Sequence, residues 1–167
     1  IDLRISNKTL FSKIFAGAGG IDSYTNAISD IYQDNFDEGI FTGKGIYNLK
    51  IFSKVLDNQI PKNTVLSHDL LEGSFLRCGL VTNVEFVDGF PSRFNSYIVR
   101  QNRWLRGDLQ VFRWCKNKVE LLGEKCVNPL NNLSKWKIVD NIRRGIVNIS
   151  LFIFILVGLG IFDIHWV

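Results

Sequence analysis

The apolar positions of this chain change period several times along its length. Ile1, Leu3 and Ile5 alternate with polar residues, the period of a short strand. Thr9 to Phe15 is apolar-rich and gives way to Ala16-Gly17-Ala18-Gly19-Gly20, a flexible loop by composition. Within Tyr24 to Phe36, Ala27, Ile28, Ile31 and Tyr32 recur at helical spacing. Asn48 to Leu56 reads as a short helix with Leu49, Phe52, Val55 and Leu56 inward. A further helix opens behind Ser67 and runs through Leu70, Leu71, Phe75 and Leu76 to Cys78, with Gly79 as its stop. Leu80 to Val87 alternates enough to predict a strand, ended by the turn Asp88-Gly89-Phe90-Pro91. Helices and strands mixed at this spacing predict an α/β fold.

The pattern changes character near the end. Ile146 to Phe162 carries no charge and is interrupted only by Asn148 and Ser150. That is near the lower end of the about 17–25 residues a spanning helix requires. Core helices of soluble proteins keep a polar face, whereas this stretch is apolar all round, so it is expected to cross a membrane. Lys135, Lys137, Arg143 and Arg144 precede it, and Asp163, His165 and Trp166 follow. By the positive-inside rule the N-terminal side is cytoplasmic. Leu133 to Arg144 is expected to approach the membrane along its interface, with Trp136, Ile138, Val139 and Ile142 against the headgroups. The chain divides into 1–128, a basic amphipathic segment 129–145, and the span 146–167.

Composition adds three constraints. At 167 residues and 46% hydrophobic, the chain is one domain's worth. A net charge of +4 is modest, and the basic residues gather between Arg93 and Arg144. With 0 Met there is no initiator, so the chain is expected to be part of something longer. Cys78, Cys115 and Cys126 match neither a zinc pattern nor a disulfide framework, which leaves reduced thiols.

Candidate chemistry centres on Ser67-His68-Asp69-Leu70-Leu71-Glu72-Gly73. If a helix starts there, Asp69 lies in its first turn and Glu72 on roughly the same face. The helix dipole favours the ionised carboxylate, the state a general base needs. The plainer account is that Asp69 completes a helix start. In Gly43-Lys44-Gly45 the glycines permit close backbone approach to a ligand and the lysine can neutralise a phosphate; a tight turn explains the glycines equally well. Asp30, Asp34, Asp37 and Glu38 read as a solvated helix face, and no metal site is assigned to them. Arg100, Arg103 and Arg106 share a helical face beside Trp104. Guanidinium forks suit phosphate and a flat indole suits a sugar or a base. Snorkelling arginines at a membrane surface would look the same.

In order, these motifs resemble the glycosyltransferase domain of cyclic β-1,2-glucan synthases. The likeness takes in Ser29-Asp30-Ile31-Tyr32-Gln33-Asp34, Phe41 to Tyr47, Ser67 to Gly73, Phe90-Pro91-Ser92-Arg93 and Arg103-Trp104-Leu105-Arg106-Gly107-Asp108, most of residues 10–145. More distantly the chain is similar to the processive, cellulose-synthase-like transferases. The resemblance implies the C-terminal part of a Rossmann-like (GT-A type) catalytic domain followed by a transmembrane helix. It implies inverting transfer of glucose from UDP-glucose to a growing β-1,2-glucan. Asp69 takes the place of the base, flanked by His68 and Glu72. Arg103, with Arg100 and Arg106 beside it, would bind the diphosphate, and Trp104 would stack on the acceptor. Gly43, Lys44 and Gly45 would border the sugar pocket. Two departures stand out: His68 replaces the acidic residue before the aspartate, and Arg100 stands where a glutamine would be, with Gln101 one place on. Mg²⁺ or Mn²⁺ is implied, with its ligands upstream of Ile1, so this chain alone is expected to be inactive. The implied location is the inner membrane, in a multi-pass protein with the catalytic part cytoplasmic. The implied partners are donor, glucan acceptor, membrane lipid and an upstream half of the catalytic domain, without nucleic acid. The rival is a non-catalytic, membrane-anchored binding module using its basic face for anionic lipid or nucleic acid.

Overall fold

The structure, a computed structural model, describes residues 8–16, 29–41, 43–67, 69–84, 89–121 and 123–161. The strand expected at Ile1 to Ile5, the glycines at 17–20, the start of the helix expected from Tyr24, His68 and Trp166 lie outside them.

Six α-helices and one hairpin are formed by the described residues: α1 (Leu10–Phe15), α2 (Ser29–Phe36), α3 (Leu49–Leu56), α4 (Asp69–Leu76), α5 (Phe94–Val111), β1 (Lys118–Leu121), β2 (Glu124–Val127) and α6 (Asn132–Ile161). Local chemistry accounts for several boundaries. Thr9 and Ser12 cap α1 reciprocally, each side chain bonding the other's backbone N–H. The Asn48 side chain accepts from the N–H groups of Lys50 (3.0 Å) and Ile51 (3.2 Å) at the start of α3. At the far end of α4, Arg77 adopts φ 57° and donates its N–H to Gly73 O at 2.9 Å, so the helix stops at Leu76 rather than Cys78. The helix opens at Asp69, with Asp69 and Glu72 both in its first turn.

Leu80 to Val84 is not a strand. Its backbone is irregular, and Leu80 donates its N–H to the Gln33 side chain at 2.9 Å. Alternation makes a strand only where a neighbouring strand completes the hydrogen-bond ladder. The sheet among the described residues lies elsewhere: β1 and β2 pair antiparallel from Lys118↔Val127 to Leu121↔Glu124, turning through Gly123 at φ 83°. Observed here is a helix-dominated fold with one small hairpin.

The core joins α4, the end of α5, the hairpin and the first half of α6 through Leu71, Val111, Trp114, Val119, Leu130, Ile138 and Ile142. Phe75 meets the Trp114 ring edge-on at 5.5 Å. The expectation for α3 fails at Leu49, which is 68% exposed, because α3 packs on α4 with one flank only.

The approach to the span also differs from expectation. Residues 132–161 form one continuous helix with no break at 145. Ile138 and Ile142, assigned above to lipid headgroups, are buried in the protein core; only Trp136 and Val139 face outward. The first half of α6 is therefore a structural member of the globular part. Beyond Gly145 the apolar side chains are exposed through Leu159, and the helix is long and apolar enough to cross a membrane.

Candidate functional site

The site assembles around the first turn of α4. The polypeptide after α2 lies along this helix, and two glycines set the closeness of the contact. A Cβ on Gly73 would come within 2.7 Å of Phe41 Cβ, and one on Gly43 within 2.9 Å of Asp69 Oδ2. Asp69 and Gly73 are four apart, hence on one face of the helix. Gly43 also has φ 86°, a conformation L side chains rarely adopt. The sequence pair Gly43 and Asp69 thus meets in space: bare backbone passes directly over a half-buried carboxylate. Gly45 lies against the Phe41 ring, and Lys44 is exposed.

The second wall is α5. A Cβ on Gly107 would lie 2.7 Å from Ser67 Cβ and 2.8 Å from Ser67 N, so this helix presses on the chain two residues ahead of Asp69. Gln110 Oε1 accepts the Leu66 N–H at 2.7 Å and fixes the same contact. Arg103 is one turn before Gly107, about 6 Å along the helix axis. The basic helix and the carboxylate turn are therefore neighbours.

Of the three arginines, Arg103 and Arg106 are exposed while Arg100 is half-buried. The Arg100 guanidinium lies 4.8 Å from the Trp104 ring centroid and 5.5 Å from that of Phe90. One face of the indole thus carries a cation, and Trp104 remains 40% exposed. Behind it, Phe11, Phe90 and Tyr97 form an aromatic cluster, tied to the Phe90-Pro91-Ser92-Arg93 turn by Thr9 Oγ1 donating to Ser92 O at 2.8 Å. Asp108 faces away from this side, toward Asn141 and Arg144 of α6. Burial pushes its carboxyl up to about 6, against the opposing pull of Arg144 and of a hydrogen bond with Asn141.

Glu38, assigned above to a solvated face, is buried instead. Lys137 Nζ meets Glu38 Oε1 at 2.6 Å, and Arg77 Nε meets Glu38 Oε2 at 3.0 Å. Nor does Lys137 flank a membrane as expected, since it is 3% exposed. No periodicity could have matched two residues 99 positions apart. Burial pushes the nearby Cys78 thiol up, so it stays protonated and is a poor nucleophile. Among the described residues no three His, Cys, Asp or Glu side chains converge to hold a metal ion.

No family model matches the chain. Over 145 residues, 87% of its length, it is 43% identical to the cyclic beta-(1,2)-glucan synthase NdvB of Rhizobium meliloti (strain 1021). The chain is related to the cyclic β-(1,2)-glucan synthases. It spans 5% of the length of that curated relative. An alignment covering 87% of the chain spans its middle, so the relationship to a glucan synthase extends over the elements that bring Gly43, Asp69 and α5 together.

Proposed function

We propose that this chain contributes the acceptor side and the diphosphate side of an inverting glycosyltransferase that moves glucose from UDP-glucose onto a growing β-1,2-glucan. In this reading the described elements are the C-terminal part of a Rossmann-like domain. The apolar half of α6 anchors it in the inner membrane with the catalytic part on the cytoplasmic face. Any Mg²⁺ or Mn²⁺ would be held by residues other than those described.

The observation that carries the reading is the bare backbone of Gly43 over the Asp69 carboxylate at a helix start, in a chain related to glucan synthases. A carboxylate in the first turn faces unpaired N–H groups at the positive end of the helix dipole. It accepts the proton of the acceptor hydroxyl as that oxygen attacks the anomeric carbon. The bond from that carbon to UDP breaks, and its electron pair leaves on the diphosphate. Arg103, exposed one turn from Gly107, meets that developing charge with a planar fork. Trp104 offers the sugar the ring face opposite Arg100, so guanidinium, indole and sugar would form one stack.

The test is Asp69→Asn in the full-length protein in native membranes, followed by glucose incorporation from labelled UDP-glucose. Incorporation is expected to fall to background while UDP still binds. Near-wild-type incorporation would remove Asp69 from the role and leave Glu72 as the next candidate.

A further inference from the structure

The buried pair Glu38–Lys137 lies outside the site and holds Gly39, two residues before the Phe41 that packs on Gly73. Lys137 Nζ donates to Glu38 Oε1 at 2.6 Å and to the Gly39 carbonyl at 2.9 Å. The Gly39 N–H in turn donates to Cys78 O at 2.7 Å. Both backbone polar groups of Gly39 are therefore held, one by α6 and one by the chain just past α4. Arg77 closes the network on the second Glu38 oxygen, and the Tyr32 ring lies 5.4 Å below the Lys137 ammonium. From this fixed point Phe41 reaches Gly73 and Gly43 reaches Asp69.

A burial of both charges needs a reason, since a buried ion pair gains little over a well-packed apolar pair. Direction is what it adds. An ammonium with three donors can hold a carboxylate and a carbonyl at once, which fixes the exit of the chain from α2 in a way apolar packing does not. We propose that Lys137 and Glu38 are positioning residues that set the glycine-bordered pocket wall against Asp69. The link starts on the helix that continues into the apolar span, so the membrane anchor and the pocket share one rigid connection. The inference rests on the transferase reading above for its kinetic consequence, and on the hydrogen bonds alone for its structural one.

The experiment uses the full-length protein. Single-charge variants leave the partner charge buried and endanger folding, so the test variant is Glu38→Gln/Lys137→Met, with Lys137→Arg as the conservative companion. If the wall borders the sugar, the KM for UDP-glucose rises about tenfold in the double variant. Inhibition by UDP, which lacks the glucosyl group, stays within twofold. Lys137→Arg recovers the KM to within about threefold. Hydrogen exchange is read on the same preparations. The Gly39 and Phe41 amides exchange at least tenfold faster in the double variant, while those of the β1–β2 hairpin keep their rates. An unchanged KM, or KM and UDP inhibition moving together, overturns the kinetic claim. Unchanged exchange at Gly39 and Phe41 overturns the positioning claim whether or not turnover is measurable. A wild-type protein without UDP-glucose turnover but with the exchange difference would overturn the transferase reading alone. Should the double variant not accumulate, Lys137→Arg decides: wild-type exchange at Gly39 is expected, and collapse of that protection with an intact hairpin would overturn the role given to the charge.

Discussion

Gly43→Ala is the sharpest perturbation of the site, because two separable effects follow from one methyl group. Gly43 sits at φ 86°, where a left-handed alanine costs about 1–2 kcal/mol. The added Cβ would also stand 2.9 Å from Asp69 Oδ2, 3.1 Å from Cγ and 3.3 Å from Oδ1. Ordinary contact begins near 3.4 Å, so the carboxylate or the loop must move by roughly half an ångström. Gly123 supplies the control. It has φ 83° in the hairpin turn, with nothing within 4 Å of a built Cβ. Gly123→Ala therefore carries the same backbone strain with no effect on Asp69. A base displaced by up to an ångström loses on the order of 10²-fold in rate. Incorporation from UDP-glucose per folded molecule is expected to drop about 10- to 100-fold for Gly43→Ala and to stay within twofold for Gly123→Ala, with similar losses in protein level. Parallel activity in the two variants would refute the placement of the Gly43 backbone over a working carboxylate.

Two further outcomes test the basic helix and its junction with α6. Arg103→Ala should weaken inhibition by UDP on the order of tenfold or more, as loss of a charged hydrogen bond predicts, whereas Trp104→Ala should spare UDP inhibition and slow elongation, with Trp104→Phe milder. A joint fall of both alanine variants in abundance, with UDP affinity intact, would instead mark a membrane-surface helix. For Asp108 the folded carboxyl titrates at about 6 against an ordinary 3.8, so the folded state holds the proton more tightly and loses stability as pH rises between those values. Asp108→Asn should therefore match the wild type in apparent melting temperature near pH 4 and gain on it by pH 7. A difference independent of pH, or one that shrinks as pH rises, would contradict the burial of that group between α5 and α6.

Much of this was legible in the chain itself because it depends on near neighbours. Helical period placed α3 and the apolar half of α6, the arginine spacing put Arg100, Arg103 and Arg106 on one face of what is α5, and the Ser67 to Gly73 stretch put Asp69 in a first turn with Glu72 on the same face. The hairpin was also written there, in alternating Val119 and Leu121 before Gly123, although Leu80 to Val87 alternates more strongly. What separated them was the partner: β1 and β2 have each other, and Leu80 had only a glutamine side chain. Local pattern also named Gly43 and Asp69 separately, yet only the packed chain brought them within van der Waals reach. Tertiary structure alone decided that Ile138 and Ile142 face protein instead of lipid, and that Glu38 and Lys137 are interior. The physical reason is the same throughout. An amphipathic face specifies that something must cover it, and a charge that something must balance it. Which surface or counter-charge does so is set by contacts between residues far apart in sequence, on which local periodicity carries no information.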